Sequence, residues 1–149
     1  MDLPDHITWD APDGDHPARR ASQRSYAAVG TGDLETWLTV YAEDAVIEDP
    51  VGPSMFDPEG QGHHGHEGIR KFWELAIAPI ESFHFRIHDS HANGNTCANV
   101  GTITTTFPGG GVVDTDLVMV YTVAEDGRVA SMRAYWEPER AMATYRKGS

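Results

Sequence analysis

Hydrophobic and polar residues follow different periods in the two halves of the chain. Residues 34–41 place Leu, Trp, Leu and Tyr at i, i+3, i+4 and i+7, which is the spacing of one face of a helix. Residues 83–88 instead alternate Phe, Phe and Ile with His, Arg and His, which is the period of a strand with one buried face. The pattern therefore predicts helices first and strands afterwards.

Turn and cap residues divide these patterns into elements. Gly30 and Gly32 suit the end of a first helix, Asp33 suits the cap of a second, and the glycines of 93–96, 108–111 and 125–128 mark turns. The predicted helices are 18–33, 34–44 and 66–76, and the predicted strands are 45–50, 83–88, 98–107, 112–124 and 129–136. Helices followed by an antiparallel meander predict an α+β domain at 17–145, in which a bent sheet wraps the helices. Residues 1–16, rich in Pro, Asp and Gly, are expected to be an irregular lead-in.

Asp49 is the strongest candidate for chemistry. Val46 and Ile47 are strand formers, and the period of two then sends Glu48 and Asp49 to opposite faces of the sheet. One acid can face solvent while the other faces the core, where desolvation raises the pKa of a carboxyl and makes it a candidate proton-transfer base. The alternative is an exposed strand-end acid, or one that stabilises a turn before Pro50.

Composition narrows the class of partner. The formal net charge is −12 and the pI is about 4.9, so the surface repels phosphate backbones and anionic membranes. No apolar run approaches the roughly 20 residues that span a bilayer, and the start has no signal-peptide pattern. The single cysteine, Cys97, excludes an internal disulfide framework. We expect a cytoplasmic protein with a small apolar ligand, without nucleic acid or membrane as a partner.

Three histidines in the segment HHGH raise the question of a metal site. His63, His64 and His66 offer imidazoles, and Asp57 or Glu59 offers oxygen ligands. Adjacent histidines point in different directions and the loop is rich in glycine, which favours a solvated polar loop. We therefore expect no metal.

Two segments carry a family resemblance, GDLETWLTVYAEDAVIEDPVG at 32–52 and GRVASMRAYW at 127–136. Over about 22–136 the chain resembles nuclear transport factor 2, the SnoaL-type cyclases and the Δ5-3-ketosteroid isomerases, and these two segments are similar to the isomerase branch. The resemblance implies an NTF2-like cone, with three helices packed in a strongly curved sheet. It also implies a homodimer through the sheet, no cofactor, and Asp49 as the base that moves a proton between C4 and C6 of a steroid.

The same resemblance assigns partners for the base. The oxyanion-binding tyrosine maps to Tyr26, although an ungapped count reaches Ser25 instead. The second acid of the family falls on Met119, which offers no comparable hydrogen-bond donor. Asp116 lies three residues away and, in a regular strand, points to the opposite face. Losing one such donor costs about two to three orders of magnitude in rate.

The remaining expectations concern the ligand and the reaction. Residues expected to line a substrate cavity are Tyr41, Phe72, Trp73, Phe85, Met119 and Trp136, and the loop at 53–65 is expected to border its mouth. The first hypothesis is an isomerase that moves a proton on a hydrophobic ketone. The second is an enzyme of epoxide opening, cyclisation or dehydration. The third is a non-catalytic protein that binds an apolar ligand.

Overall fold

The fold is a curved, mixed seven-stranded sheet with helices packed against it, in the strand order β1-β4-β5-β6-β7-β2-β3. A computed structural model describes residues 2–148. The elements in chain order are β1 (Ile7–Trp9), α1 (Pro17–Thr31), α2 (Leu34–Val40), β2 (Tyr41–Glu48), β3 (His63–His64), α3 (Gly65–Phe72), a π-helical turn (Trp73–Ile77), β4 (Ser82–Asn93), β5 (Thr96–Thr106), β6 (Val112–Val123), β7 (Val129–Tyr135) and α4 (Pro138–Met142). The predicted α+β class is confirmed.

Helix α1 begins and ends at the signals visible in the sequence. The His16 ring accepts a hydrogen bond from the backbone N–H of Ala18, and Pro17 occupies the first turn, where its missing N–H is harmless. Gly32 ends the helix at φ 69°, a left-handed conformation that glycine adopts without strain. The helix carries Tyr26 into the core, where this side chain is 2% exposed.

Helix α2 is shorter than predicted. It ends at Val40, and Tyr41–Glu48 forms β2, whereas the apolar spacing predicted a helix as far as residue 44. The correction has a tertiary cause, because β2 pairs in parallel with β7 and matches Tyr41 to Val129. Strand pairing with a segment almost ninety positions away outweighs a local helical period.

The sequence predicts an irregular segment at 1–16, but the structure contains a short strand there. Ile7–Trp9 forms β1, an edge strand parallel to β4, and the backbone N–H of Phe85 donates to the His6 carbonyl at 2.8 Å. Ile7 is 7% exposed, so burial of its side chain and pairing of its backbone hold this segment on the sheet. A three-residue strand flanked by Pro and Asp gives too short a pattern to be recognised in the sequence.

The third predicted helix is present, but it changes character along its length. It is α-helical over Gly65–Phe72 and continues as the π-helical turn Trp73–Ile77. Helix α4 (Pro138–Met142) was not predicted, and it packs against β6. These two short elements matter because both contribute to the cavity described below.

Strands β4, β5 and β6 form an antiparallel meander whose concave face is apolar. Phe85 and Ile87 are 4% and 0% exposed, as the alternation predicted. Asp116 lies on the outer face, where it accepts a hydrogen bond from Thr102 and pairs with Arg140 at 3.3 Å. The core therefore fills the space between the concave face and α1–α3.

Among residues 2–148, no helix is both long enough and apolar enough to cross a membrane. The cytoplasmic location stays a prediction from the sequence.

Candidate active site

The end of β2 separates two neighbouring acids. Glu48 turns to the outer side of the sheet and pairs with Arg133 at 3.3 Å. Asp49 follows the last strand residue and lines the internal cavity. The alternation along the strand thus places one acid outside and one inside, as the sequence predicted.

The cavity lies between the concave face of the sheet and the helices, and its volume is about 300 Å³. This volume is at the small end of the range for ligand pockets, about 300 to 1,000 Å³. Its wall is mainly aliphatic and aromatic, with side chains from every layer of the fold, among them Ile47, Phe56, Phe72, Phe83, Phe85 and Leu117. An apolar cavity with few polar groups suits a hydrophobic ligand.

Within residues 2–148, Asp49 has one hydrogen-bond partner in this apolar environment. Its Oδ1 accepts a hydrogen bond of 2.6 Å from Trp136 Nε1. Desolvation by burial raises the pKa of Asp49 from 3.8 to about 6, and the Trp136 hydrogen bond opposes that rise. A carboxyl with a pKa near 6 is ionised at neutral pH and still basic enough to take a proton from carbon.

Tyr26 lines the same cavity from α1. Its hydroxyl oxygen accepts a 3.0 Å hydrogen bond from Asn99 Nδ2, and its O–H donates to Met119 Sδ at 3.4 Å. The ring stacks on Phe85, with centroids 4.7 Å apart. Burial raises the pKa of Tyr26 well above its ordinary value of 10.0, so the phenol is neutral and can donate at neutral pH.

Ser25, the alternative to Tyr26, also lines the cavity but is engaged elsewhere. Ser25 Oγ accepts from Trp37 Nε1 at 3.1 Å and shares a 2.9 Å hydrogen bond with the Tyr41 hydroxyl. Trp37 offers only a donor, so the Ser25 hydrogen is free to go to Tyr41. Tyr26 is therefore the better placed of the two neighbours to donate to a ligand oxygen.

Met119 is 1% exposed and faces the cavity at the position where the family resemblance implies an acid. Its sulfur lies within hydrogen-bond distance of two phenols, Tyr26 at 3.4 Å and Tyr121 at 3.9 Å. A thioether is a weak acceptor and has no hydrogen to donate. Met119 therefore accepts only a weak hydrogen bond from the Tyr26 O–H, which a stronger acceptor can replace.

Most of the residues predicted to contact substrate do meet at this cavity. Tyr41, Phe72, Phe85, Met119 and Trp136 belong to its wall.

Trp73 is placed differently from the prediction. It is 6% exposed, lies outside the cavity lining and packs against Trp37 with ring centroids 5.1 Å apart. The helical period of its own segment predicts that this indole is buried, but it does not show which neighbouring element the indole packs against.

The cavity wall also includes residues outside the predicted set of substrate contacts. Met55 and Phe56 come from the loop at 53–65, so this loop borders the cavity. Ala141 and Met142 come from α4, which was not predicted. Pro138 at the first helical position was the available signal for α4, but five residues are too few to show a period.

The histidines of HHGH have separate contacts. His64 Nε2 lies 2.7 Å from the Gln61 carbonyl oxygen, and His66 Nε2 lies 2.9 Å from the carbonyl oxygen of Tyr41. The His63 ring packs against Phe72, and burial lowers the pKa of His63. Within residues 2–148 no group of three or more His, Cys, Asp or Glu side chains is arranged to hold a metal ion.

Residues 22–132 match the SnoaL-like domain. The chain belongs to the SnoaL-like family. Its fold is the NTF2-like fold that the sequence resemblance implied.

Two solved structures are about equally similar to this member of the family. RV0760c from Mycobacterium tuberculosis, in complex with estradiol-17β-hemisuccinate, is 30% identical, with a TM-score of 0.78 over 89% of this chain and 99% of that chain. The Δ5-3-ketosteroid isomerase from Mycobacterium sp. is also 30% identical, with a TM-score of 0.79 over 89% of this chain and 98% of that chain. The resemblance to the isomerase branch is thereby confirmed.

A more distant likeness shows the fold alone. SalBIII, an epoxide hydrolase/cyclase-like enzyme in pyran ring formation in the polyether salinomycin, is 21% identical, with a TM-score of 0.69 over 87% of this chain and 95% of that chain.

Proposed function

We propose that this protein is an isomerase that moves a proton on a hydrophobic ketone, with Asp49 as the general base. The observation that carries the proposal is the pairing of two groups in one apolar cavity. One is a carboxyl whose pKa is raised to about 6, and the other is the neutral phenol of Tyr26. A base and a hydrogen-bond donor that line one cavity are the minimum needed to form and hold an enolate.

The two oxygens of Asp49 have different roles in this mechanism. Oδ1 is engaged by Trp136 Nε1, so Oδ2 takes the proton from the carbon next to the substrate carbonyl. The C–H electron pair moves into the enolate, whose oxygen accepts the hydrogen bond from Tyr26. Asp49 then returns the proton to the far carbon of the dienolate, which moves the double bond into conjugation. For a 3-oxo-Δ5 steroid, the proton leaves C4 and arrives at C6.

The Tyr26 O–H can exchange its present acceptor for the substrate oxygen at a small cost in free energy. In the unliganded cavity its partner is the Met119 sulfur, a weak acceptor at 3.4 Å. A ketone or enolate oxygen is a much stronger acceptor and takes the hydrogen bond in its place. The negative charge that develops on that oxygen then strengthens the hydrogen bond in the transition state, which is where catalysis requires it.

The test is turnover of a 3-oxo-Δ5 steroid by two neighbouring variants. Asp49→Asn is expected to abolish isomerisation, followed by the ultraviolet absorbance of the conjugated enone, while the product steroid still binds. Glu48→Gln is the matched control, because this acid lies one residue away on the other face and pairs with Arg133. Full activity of Asp49→Asn would refute the mechanism, and equal loss in both variants would point to a structural effect.

A second candidate is epoxide opening, and one observation favours it. With Met119 in the place of a second acid, the site lacks the protonated carboxyl that the family resemblance implies, which matters less to a reaction without an enolate. Asp49 would then place a water molecule or take a proton from an internal nucleophile. Product analysis with a 3-oxo-Δ5 steroid and with an epoxide substrate separates the two reactions.

A non-catalytic role in binding makes a different prediction. An apolar-ligand carrier would bind a steroid in the cavity without turnover, and Asp49→Asn would leave the affinity unchanged. The combination of measurable affinity and no product from either substrate would favour this role over both enzymatic ones.

We further propose that two copies pair through the outer face of the sheet. Val100, Val118 and Tyr135 are directly opposite one another on β5, β6 and β7, and they are 37%, 36% and 44% exposed. A row of exposed apolar side chains on the outer face of a sheet suits a partner of the same kind. Val118→Glu is expected to convert a dimer to a monomer in sedimentation velocity, and an unchanged sedimentation coefficient would contradict the pairing.

A further inference from the structure

A buried polar cluster lies behind Tyr26, on the side away from the cavity. It includes Arg19 and Ser22 on α1, Ser90 on β4 and Asn99 on β5, with exposures of 6%, 0%, 3% and 0%. The buried Cys97 adds a thiol that donates to Asn99 Oδ1 at 3.2 Å. None of these residues belongs to the cavity wall. Burying so many polar groups costs free energy unless each is satisfied, so the directions of their hydrogen bonds are informative.

At one end of the cluster, Arg19 determines which group donates in each hydrogen bond. A guanidinium only donates, so Arg19 Nε donates to Ser90 Oγ at 2.9 Å. The other acceptors of this cation are two backbone carbonyls, those of Gly14 and Ser90, so all its partners are uncharged. The hydrogen of Ser90 is then available to Asn99 Oδ1, which lies 2.8 Å away.

At the other end of the cluster, Ser22 determines which group donates in each hydrogen bond. Its hydroxyl donates to the Arg19 carbonyl at 2.7 Å, so Ser22 Oγ acts as the acceptor toward Asn99 Nδ2 at 2.9 Å. Both ends therefore give the same orientation of the Asn99 amide. The second hydrogen of Nδ2 goes to the hydroxyl oxygen of Tyr26 at 3.0 Å.

We propose that Asn99 is a positioning residue for Tyr26. By donating to the phenol oxygen from behind, the Asn99 amide leaves the Tyr26 hydrogen with no partner in the cluster and turns it toward the cavity. The chain of donors starts at a permanent positive charge on Arg19, and successive hydrogen bonds of one direction polarise each other. Tyr26 thereby becomes a stronger donor to an oxyanion, which partly offsets the missing acid at Met119.

This inference rests on the proposed role of Tyr26, and it is tested without turnover. The probe is 4-nitrophenol, whose phenolate absorbs visible light, bound to protein carrying Asp49→Asn so that no carboxylate repels the anion. The ionisation constant of the bound phenol measures how strongly the cavity stabilises an oxyanion. We expect the parent protein to bind phenolate and to lower the pKa of the phenol below its value in water.

Two variants interrupt the chain at different points. Asn99→Leu keeps the approximate volume and removes the donor to Tyr26, and it is expected to weaken the ionisation of the bound phenol about five- to tenfold. Ser90→Ala keeps Asn99 but breaks its link to Arg19, so a smaller loss in the same direction is expected, with recovery in Ser90→Thr. If Asn99→Leu does not fold, the Ser90 pair carries the test.

The matched control is Gln23→Met, which removes another fully buried amide of similar size. Gln23 lies on α1, its side chain is hydrogen-bonded to Asp13 and Arg20, and within residues 2–148 none of its side-chain hydrogen bonds goes to Tyr26. We expect this variant to leave the bound-phenol ionisation within twofold of the parent. The proposal is overturned if Asn99→Leu and Ser90→Ala behave like Gln23→Met, or if the parent binds no phenolate.

Failure of this proposal and failure of the proposed function are distinguishable. One outcome is that isomerisation depends on Asp49 while the Asn99 and Ser90 variants have no effect on the bound phenol. That result would support the isomerase mechanism and contradict only the positioning role of Asn99. The converse outcome is that phenolate binding depends on Asn99 while no ketone is turned over. That result would support the oxyanion site and contradict the proposed reaction.

Discussion

Trp136 Nε1 donates a hydrogen bond of 2.6 Å to Asp49 Oδ1. The indole lies just beyond the end of β7, and the carboxyl lies just beyond the end of the neighbouring parallel strand β2. The contact orients the carboxylate and stabilises its charged form, against the larger effect of desolvation. The basicity of Asp49 is thus a balance between burial and one donor.

That balance predicts the effect of Trp136→Phe. Removing the N–H donor leaves desolvation unopposed, so the pKa of Asp49 should rise further above 6. We expect the acid limb of kcat/KM for a 3-oxo-Δ5 steroid to move up by about one pH unit, with a severalfold loss at neutral pH. Trp73→Phe is the control, because this indole does not contact Asp49. An unmoved acid limb would contradict the role of the hydrogen bond.

The unmodified protein should show a simple pH profile. A base works in its ionised form, so kcat/KM should be half-maximal near pH 6 and should fall below it as Asp49 takes up a proton. Above pH 7 the profile should stay flat, because burial keeps the Tyr26 phenol protonated well past its ordinary pKa of 10.0. A midpoint near 4, the value for an exposed aspartate, would show that Asp49 is not desolvated during the reaction.

The same pKa predicts a change in stability with pH. The folded pKa of Asp49, about 6, lies above the unfolded value near 3.8. The protonated carboxyl therefore favours folding fully below about pH 4, and this contribution is lost as the pH rises through 6. Asp49→Asn avoids the loss, so it should raise the free energy of unfolding at pH 8 by about 1 to 3 kcal/mol relative to the unmodified protein.

This prediction is checked by urea unfolding at pH 8 and at pH 4. The gain from Asp49→Asn should be present at the higher pH and close to zero at the lower one. Glu48→Gln provides the comparison, since its carboxylate pairs with Arg133 outside the cavity. A gain that is equal at both pH values would exclude desolvation of Asp49 as its cause.

Met119 offers a test by gain of function. An aspartic acid placed here would be buried beside Tyr26 and Tyr121 and would stay protonated, so it could donate a second hydrogen bond to the enolate oxygen. We expect Met119→Asp to raise kcat by about tenfold or more, within the range for one oxyanion donor. Met119→Leu removes the sulfur without adding a donor and should leave kcat within a few-fold. A lower kcat in a folded Met119→Asp variant would argue against an enolate intermediate.

Local patterns predicted much of this molecule because they depend on near neighbours. The inward and outward alternation of Glu48 and Asp49 follows from the geometry of any strand, and so does the outward position of Asp116. The cap at Gly32 needs only a residue that tolerates positive φ. The family resemblance of the segments at 32–52 and 127–136 extended the prediction from local structure to the whole NTF2-like fold.

The failures have a common cause in contacts that are distant along the chain. Tyr41 has the spacing of a helix but pairs with Val129, and Ile7 joins the sheet only because β4 lies beside it. Trp73 packs against Trp37 on α2 and lies outside the cavity lining. None of these outcomes is visible in a window of ten residues.

From the sequence by itself came the α+β class, the internal position of Asp49 and the net charge of −12, from which we expect no nucleic-acid partner. These follow from periodicity, charge and composition, which are properties of the chain before it folds. Only the tertiary structure decided the surroundings of that acid: the indole of Trp136 beside it, Tyr26 in the same cavity, and Asn99 behind Tyr26. The physical reason is that a pKa and a hydrogen-bond direction depend on groups brought together from α1, β5 and β7, whose separation along the chain gives no measure of their distance in space.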